Sequence, residues 1–348
     1  MSKIRVLVVD DSAFMRRIIR QMLESVTDIE VIGTARDGAE GVEMAASLLP
    51  DVITMDVEMP RMNGLEATGV IMEKFPTPIL MVSSLTTEGA HATFQALDKG
   101  AADYISKNLV TSALDMLKIQ DELISKIKAL ARKSNRLHGL RAFRRPVPVL
   151  VVPPGHATQK IGFVAIGAST GGPRAIQEVL SHLPGDLATP FLVAVHMPKA
   201  FTGAFAERLN TLCKLTVREA EHGEKVREGH VILTPGGTQT RIRRRGITDF
   251  YVEVENEPAG SLYKPSVDIS MRSVAECYPG RAMGVILTGM GHDGLEGMRA
   301  IKLSGGKTIA QNEETCTVYG MPKAVVDAGL ADKVLPLDKV AAEIINMI

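Results

Sequence analysis

The 348-residue chain lacks any net charge, with 40 Lys and Arg balancing 40 Asp and Glu. That balance removes a global bias toward nucleic acid or a membrane surface. No stretch approaches the ~20 consecutive apolar residues of a membrane span. The N-terminus, MSKIRVLVVDD, runs straight into an apolar run and an acidic pair, unlike a signal peptide. The three cysteines (Cys213, Cys277, Cys316) follow no metal-binding spacing and cannot all pair, which fits a reducing, cytoplasmic setting. Each reads as a small buried hydrophobe. What remains is a chain long enough for two domains of ordinary size.

From 4 to 133 a short apolar run followed by a helical pattern repeats five times. The runs are IRVLVV (4–9), IEVIGTA (29–35), DVITM (51–55), PILMVS (78–83) and ADYIS (102–106), with amphipathic stretches near 14–25, 38–48, 64–75, 87–99 and 111–133. Such alternation predicts a parallel sheet covered on both faces. The segment 134–160 breaks the pattern with Arg136, Arg141, Arg144 and Arg145, then Pro146, Pro148, Pro153 and Pro154. This composition reads as a semi-extended, solvated linker rather than a nucleic-acid platform. A second α/β series fills 161–348, with strands expected at 161–167, 191–196, 217–221, 230–235, 281–289 and 307–311. Helices are expected at 173–183 and 322–330, and a hairpin excursion at 236–258.

In the first series Asp10 and Asp11 follow the first strand and Asp56 the third. Neighbouring parallel strands would crowd three carboxylates together, an arrangement that calls for a hard cation such as Mg²⁺. Ser83 and Lys107 end the fourth and fifth strands, where a hydroxyl and an ammonium can hold phosphoryl oxygens. Asp56 then reads as a nucleophile for a phosphoryl group. Singly, each residue has a plainer role: Asp11-Ser12 can cap a helix, and Lys107 can be a surface lysine. Five of them at strand ends argue for a site.

In the second series three motifs each close an apolar run: GASTGG (167–172), HMP (196–198) and GMGHDG (289–294). They place Ser169, His196 and Asp293 past strand ends, the edge where ligands gather in open α/β sheets. Gly167-Ala168-Ser169-Thr170-Gly171 fits the G-x-S-x-G turn, with backbone N–H groups near the serine to hold an oxyanion. A phosphate cradle is the chemical rival. It lacks a G-x-G-x-x-G run, a Lys-Ser/Thr pair after the loop and an acidic ribose ligand. His196 is the expected base and Asp293 its orienting partner, with His292 a second candidate base. The order Ser…His…Asp differs from that of α/β-hydrolases, pointing to another fold.

The residues DD (10–11), MDVEMPRMNGLE (55–66), MVSS (81–84) and ADYISK (102–107) resemble a response-regulator receiver domain. That resemblance implies Asp56 as phosphoacceptor, a metal held by Asp10, Asp11, Asp56 and the backbone carbonyl of Glu58, and Ser83 with Tyr104 as the switch pair. Asn63 stands where Asp is usual, and Asn108 where Pro is usual. IGASTGGP (166–173), VAVHMP (193–198), FAERLN (205–210), KPSVD (264–268), GVILTGMGHDG (284–294) and IAQNEETCTVYGMP (309–322) resemble the CheB family of chemotaxis protein-glutamate methylesterases. This second resemblance implies Ser169 as nucleophile, His196 as base, Asp293 as its orienter, and the N–H groups of Thr170 and Met290 as oxyanion donors. His292 occupies a position often filled by Asn.

The expected architecture is α/β: a flavodoxin-like receiver with a five-stranded parallel sheet at 1–125 (its last helix reaching about 133), a linker at 134–160, and a doubly wound, mostly parallel methylesterase domain at 161–348. The expected activity is phosphorylation-activated hydrolysis of glutamate methyl esters on methyl-accepting chemoreceptors, with methanol released and receptor glutamines deamidated. A chemotaxis histidine kinase is the expected phosphodonor. Mg²⁺ serves the receiver and no cofactor serves the esterase. Neither nucleic-acid binding nor membrane insertion is expected, and the location is cytoplasmic. The rival from another class is a non-enzymatic, phospho-gated receptor adaptor.

Overall fold

A computed structural model describes residues 3–84, 86–107, 113–139, 160–246, 249–256 and 260–348. Asn108 and the run from Arg141 to Pro154 lie outside these residues. The N-terminal third alternates β1 (Ile4–Val9), α1 (Ala13–Glu24), β2 (Ile29–Ala35), α2 (Gly38–Leu48), β3 (Val52–Asp56), α3 (Gly64–Lys74), β4 (Ile79–Ser83), α4 (Thr87–Asp98), β5 (Asp103–Ser106) and α5 (Ala113–Gly139). The five strands form one parallel sheet in the order β2-β1-β3-β4-β5. β3 and β4 are buried throughout, as expected of strands with helices on both faces. Polar side chains start the helices: Ser12, Asp37, Asn63 and Thr86 each accept a first-turn N–H. Asn63 and Glu66 do so reciprocally, as a capping box.

One element exceeds its expected length. Helix α5 continues past 133 to Gly139, taking in Arg136, because 134–139 contain neither proline nor an internal glycine to stop it. Its buried stripe of Leu123, Ile127 and Leu130 packs into the same cluster as Ile19 and Leu23 of α1.

The second unit contains β6 (Phe163–Ala168), α6 (Gly172–Ser181), β7 (Phe191–Val195), α7 (Lys199–Leu212), β8 (Thr216–Glu219), β9 (His230–Leu233), β10 (Gln239–Arg245), β11 (Asp249–Glu255), α8 (Val267–Cys277), β12 (Ala282–Ile286), α9 (Leu295–Leu303), β13 (Lys307–Gln311), α10 (Met321–Asp327), β14 (Lys333–Leu335) and α11 (Leu337–Met347). Its seven-stranded sheet runs β14-β13-β12-β6-β7-β9-β8, and every pair is parallel. β10 and β11 pair separately as the expected hairpin. Two of its arginines pair across the ribbon, Arg241 with Glu255 at 3.1 Å and Arg243 with Glu253 at 2.6 Å.

The chain leaves β6 through α6 toward β7 on one side and leaves β12 through α9 toward β13 on the other. Helices α6, α7 and α11 pack in one apolar cluster, and α8, α9 and α10 in another. The carboxyl ends of β6 and β12 therefore flank a topological switch point, where α/β sheets open a crevice.

The two units share one apolar cluster. The ring of Phe94 on α4 stacks against Phe205 with centroids 5.1 Å apart and meets Phe201 edge-on, while Tyr104 of β5 stacks on Phe201 at 4.7 Å. Asp98 pairs with Arg208 and accepts from Gln177 at the rim.

Candidate active site

The three central strands of the second sheet, β12, β6 and β7, end side by side. Ser169 follows β6, and its N–H is tied to Thr288 O at 3.0 Å. His196 follows β7, with its N–H on Ala168 O at 3.3 Å. Asp293 arrives in the loop between β12 and α9. The imidazole joins the set: Nδ1 lies 3.1 Å from Ser169 Oγ and Nε2 lies 2.8 Å from Asp293 Oδ2. In the serine-protease template Nε2 faces the serine, and here the ring is turned the other way. The network assigns the proton to Nε2, because Asp293 only accepts and Nδ1 must receive the serine hydroxyl.

Asp293 is the most heavily bonded group in the site. Besides His196 it accepts from Val267 N (2.7 Å), Ser266 Oγ (2.9 Å), Asp268 N (3.1 Å) and Gly294 N (3.1 Å). It sits at the amino end of α8, where the helix dipole favours an anion. Burial by itself would raise its pKa. The His196 hydrogen bond and charge, with the N–H groups of Val267 and Asp268, instead hold it below the usual carboxylate range. His292 is exposed, and its backbone carbonyl accepts from Leu295 N, so the histidine joined to Asp293 is His196.

The turn after Ser169 needs glycine at 171, where φ is +73° and a Cβ would come within 2.3 Å of Thr317 Oγ1. The N–H groups of Thr170 and Met290 donate to no acceptor among the described residues. Helix α6 has no side-chain cap of its own, since Gly171 is its N-cap. A carboxylate of the other unit stands at this end instead: Asp103 Oδ1 accepts from Gly171 N, the N–H of the N-cap residue, at 3.4 Å. Asp103 is 2% exposed and its other oxygen lies 2.7 Å from Lys126 Nζ. Lys126 in turn donates to Tyr104 O at 2.6 Å and pairs with Glu122 at 3.2 Å. Burial pushes the Asp103 carboxyl up against the opposing pull of Lys126.

In the first sheet Asp10, Asp11 and Asp56 offer carboxylate oxygens within 4.8 Å of one another. Lys107 Nζ lies 2.5 Å from Asp56 and 3.2 Å from Asp10. Burial, opposed by Lys107 and reinforced by Asp10, pushes Asp56 up to about 6. One ammonium among three carboxylates leaves negative charge in excess, so the donor set fits a hard divalent cation. Glu58 N donates to Asp56 Oδ1 at 3.4 Å. Ser83 Oγ is buried and donates to Gly89 O at 3.2 Å. The Tyr104 hydroxyl is buried with no partner among the described residues.

Sequence reading brought forward the triad and the acidic pocket but passed over Asp103, Lys126, Gln239, Tyr263 and Ser266. KPSVD was noted as a motif. Its polar Ser266 just before a helical pattern was a readable cap signal.

Fold and geometry together define a class: a receiver joined to a parallel α/β unit that carries a hydrogen-bonded serine–histidine–aspartate set at its strand ends. The CheB methylesterase model matches residues 164–344, and the response regulator receiver domain model matches 6–117. Similar proteins include protein-glutamate methylesterase/protein-glutamine glutaminase 5 of Geobacter metallireducens, 51% identical over 98% of this chain and 97% of the relative. Another is protein-glutamate methylesterase/protein-glutamine glutaminase 2 of Nitratidesulfovibrio vulgaris, 46% identical over 99% of each. The crystal structure of the Thermotoga maritima CheB methylesterase catalytic domain aligns with a TM-score of 0.53 at 38% identity, covering 55% of this chain and all of that one. The chain belongs to the CheB methylesterase family.

Proposed function

We propose that this chain hydrolyses glutamate methyl esters on methyl-accepting chemoreceptors, and deamidates receptor glutamines, under control of phosphorylation at Asp56 by a chemotaxis histidine kinase. The observation that carries the chemistry is the continuous Ser169–His196–Asp293 hydrogen-bond chain. Ser169 Oγ attacks the ester carbonyl carbon while its proton passes to His196 Nδ1. The imidazolium keeps its Nε2–H on Asp293, and the oxyanion takes the free N–H groups of Thr170 and Met290. Collapse breaks the C–O bond, and the methoxy oxygen leaves as methanol with the Nδ1 proton. Water, deprotonated by Nδ1, then attacks the acyl-enzyme, releasing the glutamate side chain and restoring Ser169. A glutamine follows the same course with ammonia as leaving group.

Asp10, Asp11, Asp56 and the Glu58 carbonyl would hold a Mg²⁺ ion, which when bound would supply charge neutralisation for the incoming phosphoryl group. Asp56 is the acceptor, and Ser83 and Lys107 bind the phosphoryl oxygens. The route to the esterase is β5: Lys107 follows it, Tyr104 stacks on Phe201 from it, and Asp103 at its start accepts from Gly171 N. In the resting state the receiver also grips α6 and α7, the helices that follow Ser169 and His196. Phosphorylation draws on Ser83 and Lys107, shifts β5 and releases this grip. Among the described residues no helix is long and apolar enough to cross a membrane.

The test is methanol release from receptor membranes carrying labelled methyl esters, with and without a small phosphodonor and Mg²⁺. Wild type is expected to release methanol faster with phosphodonor, and Ser169→Ala to release none. An effect on receptors that survives Ser169→Ala would favour the adaptor instead, and a wild-type rate unmoved by phosphodonor would remove the regulatory half.

A further inference from the structure

The hydrogen bonds to Ser169 and Asp293 hold the His196 ring by its two nitrogens, at opposite edges. They leave the ring free to tilt about the line joining Nδ1 and Nε2. That freedom is removed by Tyr263, whose ring stacks on the imidazole with centroids 4.3 Å apart and planes within 5°.

Tyr263 is itself held through its backbone carbonyl. Its carbonyl accepts from Gln239 Nε2 at 2.7 Å and from Ser261 Oγ at 3.1 Å. Gln239 is fully buried, and its Oε1 accepts from Ser266 N at 2.8 Å, while Ser266 Oγ donates to Asp293. One glutamine on β10 therefore sets both the stacked ring and the serine that braces the carboxylate. At the far end the phenol oxygen stands over Gly291, where a Cβ would come within 3.1 Å of it. The ring thus spans from His196 to the loop that presents Met290 N–H and Asp293. Burial, followed by the charge of Asp293, pushes the phenol above its ordinary pKa.

We infer that Tyr263 is a positioning residue for the esterase reaction, holding the His196 ring in the plane of the triad and stabilising the imidazolium through its π face. The stabilisation appears only when the proton arrives from Ser169, because a neutral imidazole gains much less from an aromatic face than a cation does. Its effect therefore falls on kcat rather than on substrate affinity. The ring alone is required; the hydroxyl has no part in it.

This inference rests on the esterase reading above. The experiment compares full-length wild type, Tyr263→Leu and Tyr263→Phe on receptor membranes carrying labelled methyl esters, with phosphodonor and Mg²⁺ present. Leucine keeps the apolar cover and removes the π face. Tyr263→Leu should lose about tenfold in kcat with KM within about twofold, the size of one lost cation–π contact at a partly buried site. Tyr263→Phe should restore the wild-type rate. Proton NMR supplies a readout independent of substrate: the His196 ring C–H signals should lie upfield in wild type and Tyr263→Phe, and move downfield in Tyr263→Leu. Wild-type kcat in Tyr263→Leu, a loss confined to KM, or a Tyr263→Phe variant as slow as the leucine one would each overturn the assignment. A wild-type protein that releases no methanol would overturn the underlying esterase reading, whatever the three variants show by NMR.

Discussion

Replacing Asp103 by Asn tests the proposed restraint of the esterase by the receiver. The change is isosteric, so the aromatic cover of Phe94, Tyr104, Phe201 and Phe205 stays in place and the amide oxygen can still accept from Gly171. Only the charge at the amino end of α6 is removed. A carboxylate at such a position contributes roughly 0.3–2 kcal/mol. The contact is long at 3.4 Å, but the group is almost fully buried, so solvent does not screen it. A midrange loss of about 1 kcal/mol shifts the equilibrium toward the released state roughly fivefold. Lys126 keeps Glu122 at 3.2 Å as counter-ion, which limits the damage to the receiver core. Methanol release without phosphodonor should therefore rise about fivefold, while the phosphodonor-stimulated rate stays at the wild-type level. An unchanged basal rate in a variant that melts like wild type would show that the apolar cover alone restrains the site. A stimulated rate that falls would show that Asp103 supports the catalytic loop rather than restraining it.

Asp293→Asn faces four donors besides His196 with an amide that accepts through one oxygen only, and should lower kcat by about 10⁴-fold, the loss seen when a triad carboxylate becomes an amide. The same variant changes acid stability. Asp293 titrates below its unfolded value of about 3.9, so its contribution is complete above that pH and is lost as pH falls through the folded-state value. Urea melts between pH 5 and pH 2 should show wild type losing stability more steeply than Asp293→Asn, and parallel slopes would contradict the pKa direction. Gly171→Ala puts a Cβ against Thr317 at positive φ and should cost at least about 2 kcal/mol, visible as a lowered Tm in calorimetry. Asp56→Asn should abolish the response to phosphodonor and leave basal methanol release intact. A retained response would place the acceptor elsewhere.

Much of the site was readable in the chain because its chemistry uses short local patterns. The strand IRVLVV followed by DD, and the glycine turn around Ser169, each combine an apolar period with residues that only a strand end makes useful. The strands at 4–9, 29–35 and 307–311 have the expected bounds, since buried parallel strands read as unbroken apolar runs. β14 was missed because three residues, two of them exposed, display no period. The helices α8 and α11 were not put forward either, though Ser266 announces the first. The length of α5 was underestimated because its last turns lack an apolar stripe strong enough to separate helix from linker.

Sequence by itself determined that two α/β units would each bring polar residues to strand ends, because strand periodicity and turn chemistry are encoded within a few neighbouring residues. Tertiary structure alone decided which way the His196 ring faces, that Tyr263 lies on it, and that Asp103 of one unit bonds Gly171 in the turn after Ser169 of the other. Those relations join residues from 67 to 97 positions apart, and no local pattern reports which surfaces two folded units will press together.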